Sequence, residues 1–228
     1  MNLQLIVATS NQHKVQEIAS FLGSEARCRA MSDLGHPPSV LEDADTFRGN
    51  AVKKCLSLAN YLRTNTELWT GLFERGEIGV LADDSGLEVD VLGGAPGIHS
   101  ARFAHMDAAG QRGNAPDQAN NEKLLGLMTG IPEERRGAQF RCVLALAWLG
   151  EGLVVAEPLV FEGICRGRIL PGCVGKGGFG YDPLFVPVGF DRTFSELGSD
   201  VKNTLSHRAK ALSGLREHLR LRSRTRTC

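Results

Sequence analysis

The sequence predicts an α/β fold, on three observations. The chain opens as strand, turn and helix. Apolar Leu3 to Ala8 precedes the polar turn Thr9-Ser10-Asn11, and Val15, Ile18, Ala19 and Leu22 then follow at helical spacing, with Gly23 as the stop. A short apolar strand, Ile78 to Ala82, ends on the acidic pair Asp83-Asp84. Two runs rich in apolar residues, Gln139 to Leu149 and Leu153 to Phe161, read as antiparallel strands joined by Gly150-Glu151-Gly152.

The remaining elements fill in this frame. Residues 46–62 carry a second helical pattern, and 64–77 form a polar connector. The stretch GGAPG at 93–97 is a tight turn. Asn121 to Met128 is a helix, and Glu162 to Ile169 either continues as a strand or bends at its two glycines. Gly175 to Gly180 is a glycine-rich loop, and residues 206–221 form a final helix. There is no internal repeat and no clear linker. One two-lobed domain over 1–215 with a basic C-terminal tail at 216–228 is expected.

Composition narrows the function classes. The 228 residues carry 26 basic and 26 acidic side chains, so attraction of the whole molecule to nucleic acid or to an acidic membrane is not expected. The balance is uneven. Residues 216–228 hold five arginines and one acid, a net of +4, which leaves the body at −4. That tail reads as a solvated, frayed terminus or as a phosphate-touching arm. The six cysteines form no C-x-x-C pair and read as reduced, mostly buried thiols. The N-terminus lacks a basic, signal-length apolar pattern, and the longest apolar run, Val143 to Leu149, is too short to span a bilayer. A cytoplasmic location is the expectation.

Five segments have the residue types for chemistry. Thr9, Ser10, Asn11, Gln12, His13 and Lys14 occupy the turn and first helical turn, where backbone amides favour anions and a lysine adds a point charge. The same segment also reads as a plain N-cap with a surface lysine. In residues 42–54, Glu42 is placed to reach a metal and Lys53 or Lys54 a phosphate, although acids before a helix are also simple dipole partners. In LADDSGLEVD, residues 81–90, adjacent carboxylates at a strand end suit Mg²⁺, with one Asp on the metal and the other orienting water or backbone. A turn with Asp caps is the alternative. In GKGGFGYDP, residues 175–183, a formal G-x-G-x-x-G is no dinucleotide fingerprint, because Pro183 and Pro187 deny it a following helix. Phe179 is instead placed to stack on a base, or to fill a core. In KNTLSHR, residues 202–208, Ser206 is a candidate N-cap that sets His207 and Arg208, both donors, at a helix start.

Taken in order, these stretches resemble the inosine/xanthosine triphosphate pyrophosphatase family (RdgB-type). The matching motifs are VATSNQHKVQEI, the TF-x-x-NA-x-x-K of TFRGNAVKK, LADDSGLEVDVLGGAPGIHSAR, NNEKLL, FRCVLAL, GFGYDPLF and KNTLSHR. They extend from residue 5 to about 212, and seven in order is a specific pattern. The resemblance implies an α/β fold with a long mixed β-sheet flanked by helices, and two lobes around a central cleft. It implies a Mg²⁺-dependent homodimer that cleaves dITP, ITP and XTP to the monophosphate and pyrophosphate. It assigns Thr9 to Lys14 to the triphosphate. Asp84 becomes the general base and a metal ligand together with Glu42, and Lys54 the lysine of the NA-x-x-K motif. Ser85 lies beside the substrate. Phe179, Gly180, Tyr181, Asp182, Lys202, His207 and Arg208 go to the base and neighbouring groups.

The chain departs from the family's usual E-T-G-x-T-F-x-E-N-A. Asp43-Ala44 replace Thr-Gly, Gly49 replaces the glutamate before Asn50, and His99 stands where tyrosine is common. With that glutamate gone, Glu42 is the surviving acidic candidate. Two other readings stay open at this point. One is a pyrophosphatase of the same architecture acting on pyrimidine or modified nucleotides, and the other is a nucleotide sensor without turnover.

Overall fold

A computed structural model describes residues 3–35, 37, 39–67, 77–107, 113–149 and 157–225. Six strands form one sheet in the order β2-β1-β3-β4-β5-β6. They are β1 (Leu3–Val7), β2 (Arg27–Ala30), β3 (Glu77–Val89), β4 (Gly137–Leu149), β5 (Leu159–Ile169) and β6 (Phe185–Pro187). The β1 strand pairs in parallel with β2 and with β3, whereas β5 and β6 are antiparallel, so the sheet is mixed. The helices are α1 (Gln12–Leu22), α2 (Phe47–Thr64), α3 (Asp117–Leu127), α4 (Phe194–Leu205) and α5 (His207–Thr225). The α/β class expected from the sequence is therefore the one observed. Among the described residues, no helix is long and apolar enough to cross a membrane.

The chain divides into two compact units. The first comprises Met1–Asp84, Val143–Glu162 and Ala211–Cys228, and the second Ser85–Cys142 and Gly163–Lys210. In the first, α1 starts where the Asn11 side chain accepts the amides of His13 and Lys14, and it stops at Gly23, whose φ of 54° favours glycine. Phe47, Ala51, Cys55, Leu58 and Leu62 form the buried face of α2. The core of this unit includes Leu5, Ile6, Ile18, Leu22 and Leu81. In the second unit, Leu87, Phe103, Leu124, Met128, Phe140 and Phe185 belong to one apolar cluster.

Several elements differ from the sequence expectation. The β3 strand does not end at Ala82 but runs on to Val89, so Asp83 and Asp84 lie inside a 13-residue strand. Flanking apolar Leu87 and Val89, both buried, carry the strand past the acids. The β5 strand continues through Gly163 and Gly167 without ending, and it starts at Leu159. The predicted turn at 150–152, the start of its following strand and most of the 64–77 connector lie outside the described residues. The short β2 and β6 and the helix α4 were not apparent from periodicity. The last helix extends to Thr225 rather than ending at 221. Its arginines are engaged in the first unit. Arg216 and Arg220 pair with Glu25, and the Arg222 guanidinium lies 4.2 Å from the Trp148 ring centre.

Candidate active site

In the first unit, two neighbouring carboxylates each meet a lysine. Successive side chains of a strand point to opposite faces, so Asp83 and Asp84 diverge. Asp83 Oδ1 is 2.5 Å from Lys14 Nζ, on the first turn of α1. Asp84 Oδ1 is 2.7 Å from Lys54 Nζ, on α2. Lys54 also lies 3.4 Å from Glu42 Oε2, so its ammonium links the two acids. The placement of Lys54 follows from α2, whose buried face runs along Ala51, Cys55 and Leu58.

Asp83 is fully buried and Asp84 nearly so. Burial pushes the Asp84 carboxyl above the usual carboxylate range; Lys54 and Lys14 oppose that rise, and Glu42 adds to it. Burial also disfavours the Lys54 ammonium, but Asp84 and Glu42 outweigh it and hold Lys54 above its ordinary value. One atom stands apart. Asp84 Oδ2 is buried and has no hydrogen-bond partner among the described residues. Buried carboxylate oxygens are normally satisfied, so an orphan oxygen here calls for a ligand.

These residues fit a small, hard cation. The donors are carboxylate oxygens, one of them without a protein partner. Among the described residues, no three His, Cys, Asp or Glu side chains converge on one point. Mg²⁺ needs no such cage, because it keeps several waters and uses one or two carboxylates plus substrate phosphates.

The Thr9 to Lys14 segment is placed at the start of α1, as expected. Asn11 does act as its N-cap, Thr9 Oγ1 accepts the Asn11 amide, and Gln12 Nε2 donates to Ser32 Oγ at 3.4 Å. Ser10 and His13 are exposed. The capping reading and the anion reading are thus compatible at one helix start.

The second unit gathers most of the residues expected around a base. One NH₂ of Arg208 donates to Ser85 Oγ at 2.9 Å. Ser206 caps α5, accepting the Ala209 amide, and this sets His207 and Arg208 in the first turn. The His207 ring stacks on Phe140, with ring centres 4.7 Å apart and planes inclined by 12°. Phe179 is half-buried, with the Lys202 ammonium 4.2 Å from its ring centre and the Arg208 guanidinium at 5.9 Å.

Two of the expected base contacts have other work. Asp182 Oδ2 accepts both the Phe179 amide, at 2.9 Å, and Lys202 Nζ, at 2.6 Å. Tyr181 is buried, and its hydroxyl donates to the Ser100 carbonyl. Burial raises its pKa, and Asp117 adds to the rise. Both side chains hold the 178–182 loop in shape. Asp117 and Asn121 of α3 do the same from the other side, since Asp117 accepts the Gly180 amide and Asn121 donates to its carbonyl. The sequence reading did not assign a role to Asp117, Asn121, Ser100 or Phe140. The helix α4, which carries Lys202, had a usable signal: Thr193 and Glu196 form a capping box, a pattern readable as T-x-x-E.

The mixed α/β sheet and a carboxylate–lysine cluster with an orphan carboxylate oxygen define a protein built to handle a polyphosphate with a cation. The comparisons narrow this class. The model of the Ham1 family matches residues 5–218, and the chain belongs to that family. It is 45% identical over 222 residues to a dITP/XTP pyrophosphatase of Opitutus terrae, covering 94% of this chain and 98% of that one. It is 40% identical to one of Shouchella clausii, covering 94% and 95%. Among solved structures, the Staphylococcus aureus Ham1 protein superposes with a TM-score of 0.74 at 33% identity, over 95% of this chain and 98% of that one.

Proposed function

We propose that this chain is a Mg²⁺-dependent pyrophosphatase that hydrolyses ITP, dITP and XTP to the nucleoside monophosphate and pyrophosphate. It thereby removes deaminated purine nucleotides before they enter DNA or RNA. The observation that carries this reading is the Asp84 carboxyl, buried, held by Lys54 through one oxygen and unpartnered at the other. The names of its relatives support the substrate class.

The reaction breaks the bond between the α-phosphorus and the oxygen bridging to the β-phosphate. Water attacks the α-phosphorus, and the pyrophosphate leaves with that oxygen. Asp84 orients this water and accepts its proton, a role suited to a carboxylate whose pKa lies above the ordinary range. When bound by Asp84 and Glu42, Mg²⁺ offsets the negative charge of the phosphates. Lys54 and Lys14 add positive charge where it accumulates on the leaving group. Asp83 keeps Lys14 in place. Thr9 to Lys14 take the triphosphate.

Base selection falls to the second unit. Phe179 offers a face for stacking, and His207 and Arg208 supply donors for the 6-oxygen of a deaminated purine. A 6-amino group cannot accept those bonds, and a site built around a hydrogen bond rejects the analogue that lacks it. Ser85 holds Arg208 in position. The same reading makes the protein a cytoplasmic homodimer, testable by sedimentation and cell fractionation.

The experiment is a substrate panel of ITP, XTP, dTTP and ATP with Mg²⁺ and pyrophosphate detection. ITP and XTP turn over well ahead of ATP in this reading. Equal rates on ATP and ITP contradict the selectivity, preference for dTTP points to a pyrimidine enzyme, and binding without turnover marks a sensor.

A further inference from the structure

The loop 42–46 carries Glu42 to Lys54, and its contact with α2 is unusually close at one point. A Cβ added to Gly49 would lie 2.7 Å from the Ala44 Cβ and 3.1 Å from Thr46 Oγ1. Carbon atoms in real contact sit about 3.5–4 Å apart. The Ala44 methyl is fixed to the backbone and cannot swing away. A side chain at position 49 therefore displaces the loop itself.

The other bonds of the loop converge on the same turn of α2. The Ala44 amide donates to Asn50 Oδ1 at 3.0 Å, and Asn50 is fully buried. Thr46 caps the helix by accepting the Gly49 amide at 3.0 Å. Asp43 pairs with Lys53. Ala44 is thus pinned through its methyl and its amide, two residues from Glu42. The two departures from the family pattern meet here: the methyl is on the loop at 44, and the space is on the helix at 49.

We propose that Ala44 and Gly49 are a size-matched pair that positions Glu42 for the cation, so that each residue is tolerated only because of the other. Both are positioning residues that act through Glu42. The proposal rests on the reading of Glu42 as a metal ligand given above.

The test is a double-mutant cycle of Gly49→Ala and Ala44→Gly beside Glu42→Gln. The readouts are the Mg²⁺ concentration that half-saturates ITP hydrolysis, and calorimetric Mg²⁺ binding in the presence of a non-hydrolysable α,β-methylene triphosphate. Gly49→Ala raises the half-saturating concentration about tenfold, as is usual when a supporting contact to a metal ligand is lost. Adding Ala44→Gly to it restores the native value to within about twofold, a recovery that a general loss of stability does not produce. Should Gly49→Ala fail to fold, Ala44→Gly alone frees the loop and raises the Mg²⁺ requirement about threefold. The proposal is overturned if Glu42→Gln raises the Mg²⁺ requirement while Gly49→Ala does not, or if the double variant fails to recover. If Glu42→Gln leaves metal binding unchanged, the metal reading of Glu42 fails and the proposal falls with it.

Discussion

Two buried Asp–Lys pairs, one in each unit, look alike in distance and differ in what their oxygens do. Asp84 and Lys54 approach to 2.7 Å, and Asp182 and Lys202 to 2.6 Å. Asp182 uses one oxygen twice, on Lys202 and on the Phe179 amide, and the same ammonium sits over the Phe179 ring. That pair shapes a loop. Asp84 has one oxygen on Lys54 and the other buried without a partner among the described residues. Folding alone does not explain that oxygen, because leaving it unsatisfied costs about 1–3 kcal/mol. A fully satisfied pair is a structural device, whereas a half-satisfied one is the place to look for chemistry.

The largest expected effect separates the two by activity. Asp84→Asn lowers kcat for ITP by about 10³-fold, combining a lost base with a lost charge. Steady-state pyrophosphate release measures it, and a variant with more than a tenth of native activity contradicts the assignment. The second effect separates them by stability. Lys202→Met leaves Asp182 buried without its cation, at a cost of about 3–5 kcal/mol in denaturant unfolding. A loss below about 1 kcal/mol removes Asp182–Lys202 as the structural member of the comparison.

A smaller effect falls on selectivity. Arg208→Lys replaces a rigid fork of donors by a point charge, and it lowers the preference for ITP over ATP by about tenfold. An unchanged ratio assigns base reading to other donors. The smallest effect is a pH slope. Burial raises the Asp84 pKa in the folded chain, so the native state holds its proton to higher pH than the unfolded state does. Stability then falls as pH rises from the ordinary carboxylate value of 3.8 through the raised one. Melting curves in EDTA should show native protein losing stability relative to Asp84→Asn across that window. A flat difference contradicts the burial argument.

Much of this was legible in the sequence because the relevant signals are local. The opening strand, Asn11 as N-cap and Gly23 as helix stop are short-range patterns, and the structure has all three. The seven motifs in order pointed to the family to which the chain belongs. What periodicity could not supply were partners distant in the chain. Lys14 meets Asp83 across 69 residues, and Arg208 meets Ser85 across 123. The acidic pair was expected at a strand end because Ser-Gly after two acids looks like a turn. The strand continues because the apolar residues beyond it are core. Tyr181 was grouped with the base contacts by its position in the motif, yet its hydroxyl is spent on Ser100. The closeness of Ala44 to Gly49 is a distance between loop and helix, and no spacing rule reports it.

The decisive comparison is product formation from ITP by the native chain and by Asp84→Asn, each with Mg²⁺. The native protein should release inosine monophosphate and pyrophosphate in equal amounts, and the variant should release almost none while still folding. Release of orthophosphate by the native protein, or undiminished pyrophosphate release by the variant, would contradict a pyrophosphatase centred on Asp84.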